Sequence, residues 1–130
     1  MNEMPRVPVS WGELIDKITI LEIKVERLRA PAAVANAQRE LELLRDVLGA
    51  LEDVAPLKEA LATVNRTLWD IEDGIRAKEA AGAFDAEFVA LARAVYHNND
   101  ERSRIKRAIN EKLQSVIIEE KQYVRYGDIS

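Results

Sequence analysis

The side chains best suited to chemistry lie where the core pattern of the last predicted helix breaks down. Counting at 4-3 spacing from Phe88 gives a seam that passes through Asn99, Arg102 and Lys106 before it becomes apolar again at Ile109. One polar residue in a seam can set helix register. Three in succession include charges that are costly to bury without partners. They indicate an internal salt-bridge network, a ligand site or a subunit interface.

A matching polar pattern recurs at 4-3-4 spacing on the preceding helix, beside its apolar seam. Arginine binds phosphate or carboxylate through a planar fork, amides orient polar groups, and aromatic rings cover a flat face. Carboxylates there would balance charge or act as acid and base. We call these residues the polar strip and predict that they bind a small anionic or polar ligand, such as a phosphate or sugar nucleotide. They are Glu22, Asn65, Trp69, Glu72, Arg76, Tyr96, Asn99, Arg102 and Lys106.

Two other functional classes remain as alternatives. A structural homo-oligomer would use the polar strip to specify assembly. A magnesium-dependent helical hydrolase would use the carboxylates Glu13, Asp16, Glu72 and Asp73. Glu72 and Asp73 are adjacent and point about 100° apart on a helix, so we assign no metal site and predict no cofactor. With one histidine and no cysteine, no catalytic triad or thiolate site can be assembled, and the sequence leaves open whether the protein is an enzyme.

Four helices must position these groups. A Ser10/Glu13 capping box opens the first helix, and Pro31 is predicted to stop it. The second is expected over about 33–51, the third from Pro56 to Gly82, and the fourth from about 86 to 113 after an Asp85 cap. The first helix is apolar nearly all round, which is typical of a central or partner-covered helix. The short links predict an all-α, antiparallel up-down-up-down four-helix bundle.

The bulk composition fits one helical domain of 130 residues, with a flexible stretch over 1–9 and a tail over 121–130. A net charge of -4 argues against a nucleic-acid binder, and no apolar run is long enough for a membrane span. The absence of cysteine and of a secretory signal favours a cytoplasmic location. An overhanging apolar end, formed by Ile109, Leu113, Val116 and Ile117, predicts a homodimer.

Several segments together resemble an uncharacterised family of short, all-helical bacterial proteins. They are SWGELIDKITILEIK at 10–24, VNRTLWDIEDGIR at 64–76, FDAEFVALARAVYHNND at 84–100, ERSRIKRAIN at 101–110 and EEKQY at 119–123. The shared motifs read SxGELIDKxTILxIK, NxxLWxIEDxIR and NDxRxxIKxxIN, and the resemblance covers nearly everything except the second helix. It marks most of the polar strip, together with Asp73 and Asp100, as motif positions.

The resemblance implies a helical fold and carries no established activity. It also suggests a place beside surface-polysaccharide or sugar-nucleotide metabolism. No catalytic role comes with any motif residue.

Overall fold

The computed structural model describes residues 3–122, and its regular structure there is entirely helical. Four α-helices follow one another: α1 (Trp11–Arg27), α2 (Pro31–Leu48), α3 (Ala55–Ala81) and α4 (Ala86–Lys112). A 3-10 turn, Glu52–Val54, precedes α3. The prediction of an all-helical fold with four helices is confirmed, whereas the antiparallel up-down-up-down order stays a prediction.

Local signals set most helix ends. The Ser10 hydroxyl accepts a hydrogen bond from the Glu13 N–H at 3.1 Å, and the Asp85 carboxylate accepts one from the Phe88 N–H at 2.9 Å. Gly82 ends α3 with φ of 64°, a conformation that glycine adopts without steric cost. The predicted role of Pro31 is wrong: α1 has already ended at Arg27, and Pro31 begins α2, where its missing N–H removes no helical hydrogen bond.

Helix α1 is the central element and packs against each of the other three, while α2 packs mainly on α1. Two apolar clusters line its two sides. The cluster toward α2 consists of Leu14, Ile18, Leu21, Ala37 and Leu41. The cluster toward α3 and α4 consists of Ile15, Val54, Leu61, Ile105 and Ile109. The all-round apolar pattern of the first helix thus reflects burial within its own chain.

Helices α3 and α4 continue beyond the end of α1, and we call residues 69–99 the two-helix extension. An ion pair of 2.6 Å between Arg27 and Asp70 marks the level at which α1 ends. None of the described residues from Trp69 to Asn99 is fully buried. No helix within residues 3–122 is both long and apolar enough to cross a membrane.

The C-terminal end of α4 differs from the prediction. Ile109 was expected to need cover from a second chain, but it is fully buried in the second cluster of its own chain. Val116 is fully exposed and Ile117 is partly exposed. Ile109 therefore gives no support to the predicted dimer.

Candidate functional site

A buried carboxylate lies at the centre of the polar residues. Asp16 is 1% exposed and belongs to α1. Arg102 of α4 donates from Nε to Asp16 Oδ1 at 2.9 Å and from Nη2 to Oδ2 at 2.5 Å. This bidentate geometry is the strongest form of an arginine–carboxylate pair. Arg102 therefore belongs to an ion pair and not to a cluster of mutually repelling cations.

One neutral side chain, that of Asn65, completes the coordination of this carboxylate, and Thr19 supports Asn65. Asn65 of α3 donates from Nδ2 to Asp16 Oδ1 at 2.9 Å and to Thr19 Oγ1 at 2.8 Å. Thr19 in turn donates its hydroxyl proton to the Asp16 carbonyl oxygen at 2.7 Å. The network ties α1, α3 and α4 together at one level, with its charges and polar groups hydrogen-bonded as burial requires.

Lys106 occupies the next turn of α4 and faces the start of α1. Its Nζ donates to Glu13 Oε2 at 2.7 Å and to Glu119 Oε2 at 3.2 Å. Burial opposes its charge, but the hydrogen bond to Glu13 and the nearby negative charges outweigh that cost and raise the pKa of Lys106. The bonded Asp16 carboxylate likewise raises the pKa of Arg102, so both cations stay charged at neutral pH.

An open cleft of about 320 Å³ adjoins the Asp16–Arg102 pair, between α1, α3 and α4. Six residues of the polar strip line it: Asn65, Trp69, Glu72, Arg76, Asn99 and Arg102. Lys24 and the apolar side chains of Ile20, Ile23 and Leu68 complete the lining. Some residues of the polar strip thus form a closed salt-bridge network, and others line an accessible cleft beside it.

The other three residues of the polar strip lie outside this cleft. Glu22 pairs with Lys58 at 3.1 Å and lies 3.8 Å from Arg45, between α3 and α2. Tyr96 is 59% exposed and does not line the cleft beside Trp69. Lys106 borders a separate cavity formed with the segment after α4. The structure therefore brings together six of the nine predicted residues.

The match to a known family covers residues 5–128, which is nearly the full chain. The chain belongs to DUF6165, a family of unknown function. No curated protein and no solved structure matches it. The DUF6165 membership agrees with the resemblance drawn from the motifs and adds no activity, so function has to be argued from the geometry.

In this DUF6165 chain the four carboxylates of the hydrolase alternative do not converge. Glu13 and Asp16 bind the cations of α4, as described above. Glu72 and Asp73 each lie 3.7 Å from Arg76 on the exposed side of α3. Across residues 3–122, no three histidine, aspartate or glutamate side chains lie close enough together to hold a metal ion.

Asp16, Asp100 and Asn110 are buried polar residues that the predicted site did not include. Asp16 appeared only as a metal candidate, and Asp100 and Asn110 appeared only within a motif. Asn110 accepts the Gly12 N–H at 2.7 Å, and Asp100 pairs with Lys121 at 2.8 Å. A signal for Asp16 was available, because Gly12, Asp16, Thr19 and Ile23 recur at 4-3-4 spacing and all four are buried. That spacing marks a second buried face on α1.

Proposed function

We propose that this protein binds a small polar ligand carrying an anionic group, in the cleft beside the Asp16–Arg102 pair. The observation that supports this proposal is the lining of the cleft, where an indole ring, two amides and basic side chains meet beside a fixed guanidinium. Small-molecule sites typically combine an apolar surface with a few placed polar groups in this way.

Five of the lining residues have a defined part in this proposal. Arg102 uses two N–H bonds on Asp16, and its remaining N–H groups can meet a phosphate or carboxylate. Because Asp16 holds the guanidinium in place, little rotamer entropy is lost on binding. Asn65 and Asn99 orient the polar part of the ligand, and Trp69 covers its flat face. Arg76 contributes a second positive charge at the outer end.

A sugar nucleotide is the ligand class that combines a flat base, hydroxyl groups and phosphate. We therefore include in the proposal an accessory role in surface-polysaccharide metabolism and a cytoplasmic location. Trp69 stacks on the base, and the basic side chains meet the diphosphate. No bond is made or broken in this proposal.

The test uses tryptophan fluorescence in a Trp11→Phe background. The chain has two tryptophans, so this change leaves Trp69 as the only reporter. We expect uridine diphosphate glucose to change the Trp69 emission and to raise the melting temperature by mass action. Inorganic phosphate is titrated in parallel, and its effect is expected to be weaker because it cannot stack on the ring.

Matched variants locate the binding. Asn99→Ala and Arg76→Gln should each weaken the affinity by about tenfold, the effect of removing one hydrogen bond to a charged group. The controls are Asn98→Ala, whose amide bonds within α4 to the Ala94 carbonyl, and Arg104→Gln, on the exposed side of α4. If nucleotides, sugar nucleotides and phosphate all leave emission and melting temperature unchanged, the binding proposal is wrong.

The two-helix extension favours a second proposal, a homodimer. Its apolar side chains include Phe84, Val89 and Tyr96, which are 60%, 53% and 59% exposed. Two helices alone cannot enclose a core. A second copy of the same extension, related by a twofold axis, would complete a four-helix arrangement and cover these side chains.

Light scattering tests the dimer. We expect twice the mass of one chain, and we expect the Phe84→Lys/Val89→Lys double variant to be monomeric with unchanged helical content. The control Val47→Lys alters an apolar residue of α2 that is 66% exposed, and should stay dimeric. A monomeric mass for the wild type at high concentration would remove this proposal.

A further inference from the structure

The segment after α4 folds back along the helix that it follows. Gln114 takes a positive φ of 52°, and the Ser115 N–H donates to the Asn110 carbonyl oxygen at 2.8 Å, which reverses the chain. Lys121 then reaches Asp100, more than two helical turns back from the end of α4. We call residues 115–122 the strap.

The strap delivers two carboxylates to two cations of α4. Glu119 accepts from Lys106 Nζ at 3.2 Å and from the Ser10 hydroxyl at 3.1 Å. Glu120 accepts from Arg107 Nη1 at 2.9 Å. The Glu119 contact with Ser10 places one anionic group at the start of α1, where the helix dipole also favours negative charge.

Both cations also have a carboxylate partner on a helix. Lys106 bonds Glu13 at 2.7 Å, and Arg107 bonds Glu111 at 3.3 Å. The strap carboxylates are therefore second acceptors, a capacity that the several N–H groups of lysine and arginine provide. A second anion can therefore bind Lys106 and Arg107 while their bonds to Glu13 and Glu111 stay in place.

The strap is weakly held around Glu119 and Glu120, whereas its end is tied by Lys121 to the buried Asp100 carboxylate at 2.8 Å. Val116 is fully exposed, and Ile117 and Ile118 are about 40% exposed, so the strap buries little apolar surface. Its ion pairs with Arg107 and Lys106 involve carboxylates that are largely solvent-accessible, and such pairs add little stability. Between the strap and α4 lies a cavity of about 200 Å³, bordered by Ser103 and Asn110 as well as by the charged groups. A small oxyanion fits that volume.

We propose that Ser10, Lys106 and Arg107 form a binding site for a diphosphate group, and that the strap is its displaceable internal occupant. A diphosphate presents two linked anionic groups, which match the two adjacent cations that the strap carboxylates now occupy. The site lies outside the cleft, since neither cation lines it. Binding at this site can therefore be tested independently of binding in the cleft.

Calorimetric titration with inorganic pyrophosphate tests the site. The wild type is compared with the Glu119→Gln/Glu120→Gln variant, in which the competing carboxylates are neutral. When the strap occupies most of the sites, the measured affinity falls in proportion to the fraction of sites that is free. We expect the variant to bind pyrophosphate at least tenfold more tightly than the wild type. Arg107→Gln added to the variant should abolish this gain without unfolding the chain, because Arg107 is exposed.

Two further measurements separate displacement from a general charge effect. The Glu26→Gln/Glu79→Gln variant makes the same change in net charge at exposed positions elsewhere, and its affinity should equal that of the wild type. Pyrophosphate should also accelerate cleavage of the wild type after Glu119 and Glu120 by a glutamate-specific protease, as these two residues leave α4. Equal affinities for wild type and strap variant, an equal gain in the charge-matched control, or cleavage that pyrophosphate does not change would each overturn the proposal.

Discussion

Arg102→Met is expected to lower the free energy of unfolding by about 3 kcal/mol, the cost typical of removing one partner from a buried ion pair. Methionine keeps most of the side-chain volume, so loss of packing contributes little. The carboxylate left behind, on Asp16, is 1% exposed, and within residues 3–122 it retains only the Asn65 amide as a side-chain donor. The measurement is the urea midpoint and slope at neutral pH and low salt, without added ligand.

Two comparisons make this prediction specific. Arg104→Met removes an exposed arginine that pairs with Glu101 at 3.4 Å on the same helix, and should change stability by less than roughly 0.5 kcal/mol. The Asp16→Asn/Arg102→Met double variant removes both charges and should recover a large part of the loss. If the Arg102→Met variant is as stable as the wild type, the pair does not hold the three helices together. Arg102 would then serve mainly a ligand.

The sequence places Arg102 in one polar seam with Lys106 but does not identify the partner of either cation. Arg102 and Lys106 lie one turn apart on α4, and counting within that helix shows like charges only. Their partners, Asp16 and Glu13, are about 90 residues away and lie three residues apart, whereas the cations lie four apart, so each pair spans about one helical turn. Counting levels along antiparallel helices, to within one turn, places the start of α1 near these cations. It could not decide which carboxylate meets which cation.

Elements defined by local chemistry were predicted well. The Ser10 and Asp85 caps and the Gly82 end all depend on backbone groups within a few residues. Proline at a helix boundary is ambiguous, because it fits the first turn of one helix as well as the end of another. The strap could not be predicted, since its course depends on one positive φ at Gln114 and on charge pairs with α4. Residues 123–130 of the predicted tail lie outside the described part of the chain.

Gly12 lies at a close approach of α1 to α4. Its N–H donates to Asn110 Oδ1 at 2.7 Å. A Cβ atom added at this position would lie 2.5 Å from the Lys106 carbonyl oxygen and 3.0 Å from Asn110 Oδ1. The first of these atoms is backbone within a helix and cannot turn aside, so the two helices would have to move apart.

Gly12→Ala should therefore lower the free energy of unfolding by about 2–3 kcal/mol, the usual cost of overpacking a well-packed contact, although alanine is the better helix former. Separation of α1 and α4 would also lengthen the Asp16–Arg102 and Glu13–Lys106 bonds, which adds to the loss. The control is Gly74→Ala, whose new methyl would meet the Leu91 side chain at 3.3 Å. Leu91 is half-buried at the two-helix extension and can rotate, so stability should stay unchanged or rise by up to about 1 kcal/mol. The measurement is thermal and urea unfolding of both variants beside the wild type. Equal changes in the free energy of unfolding at both glycines would mean that the close approach at Gly12 does not fix the spacing of α1 and α4.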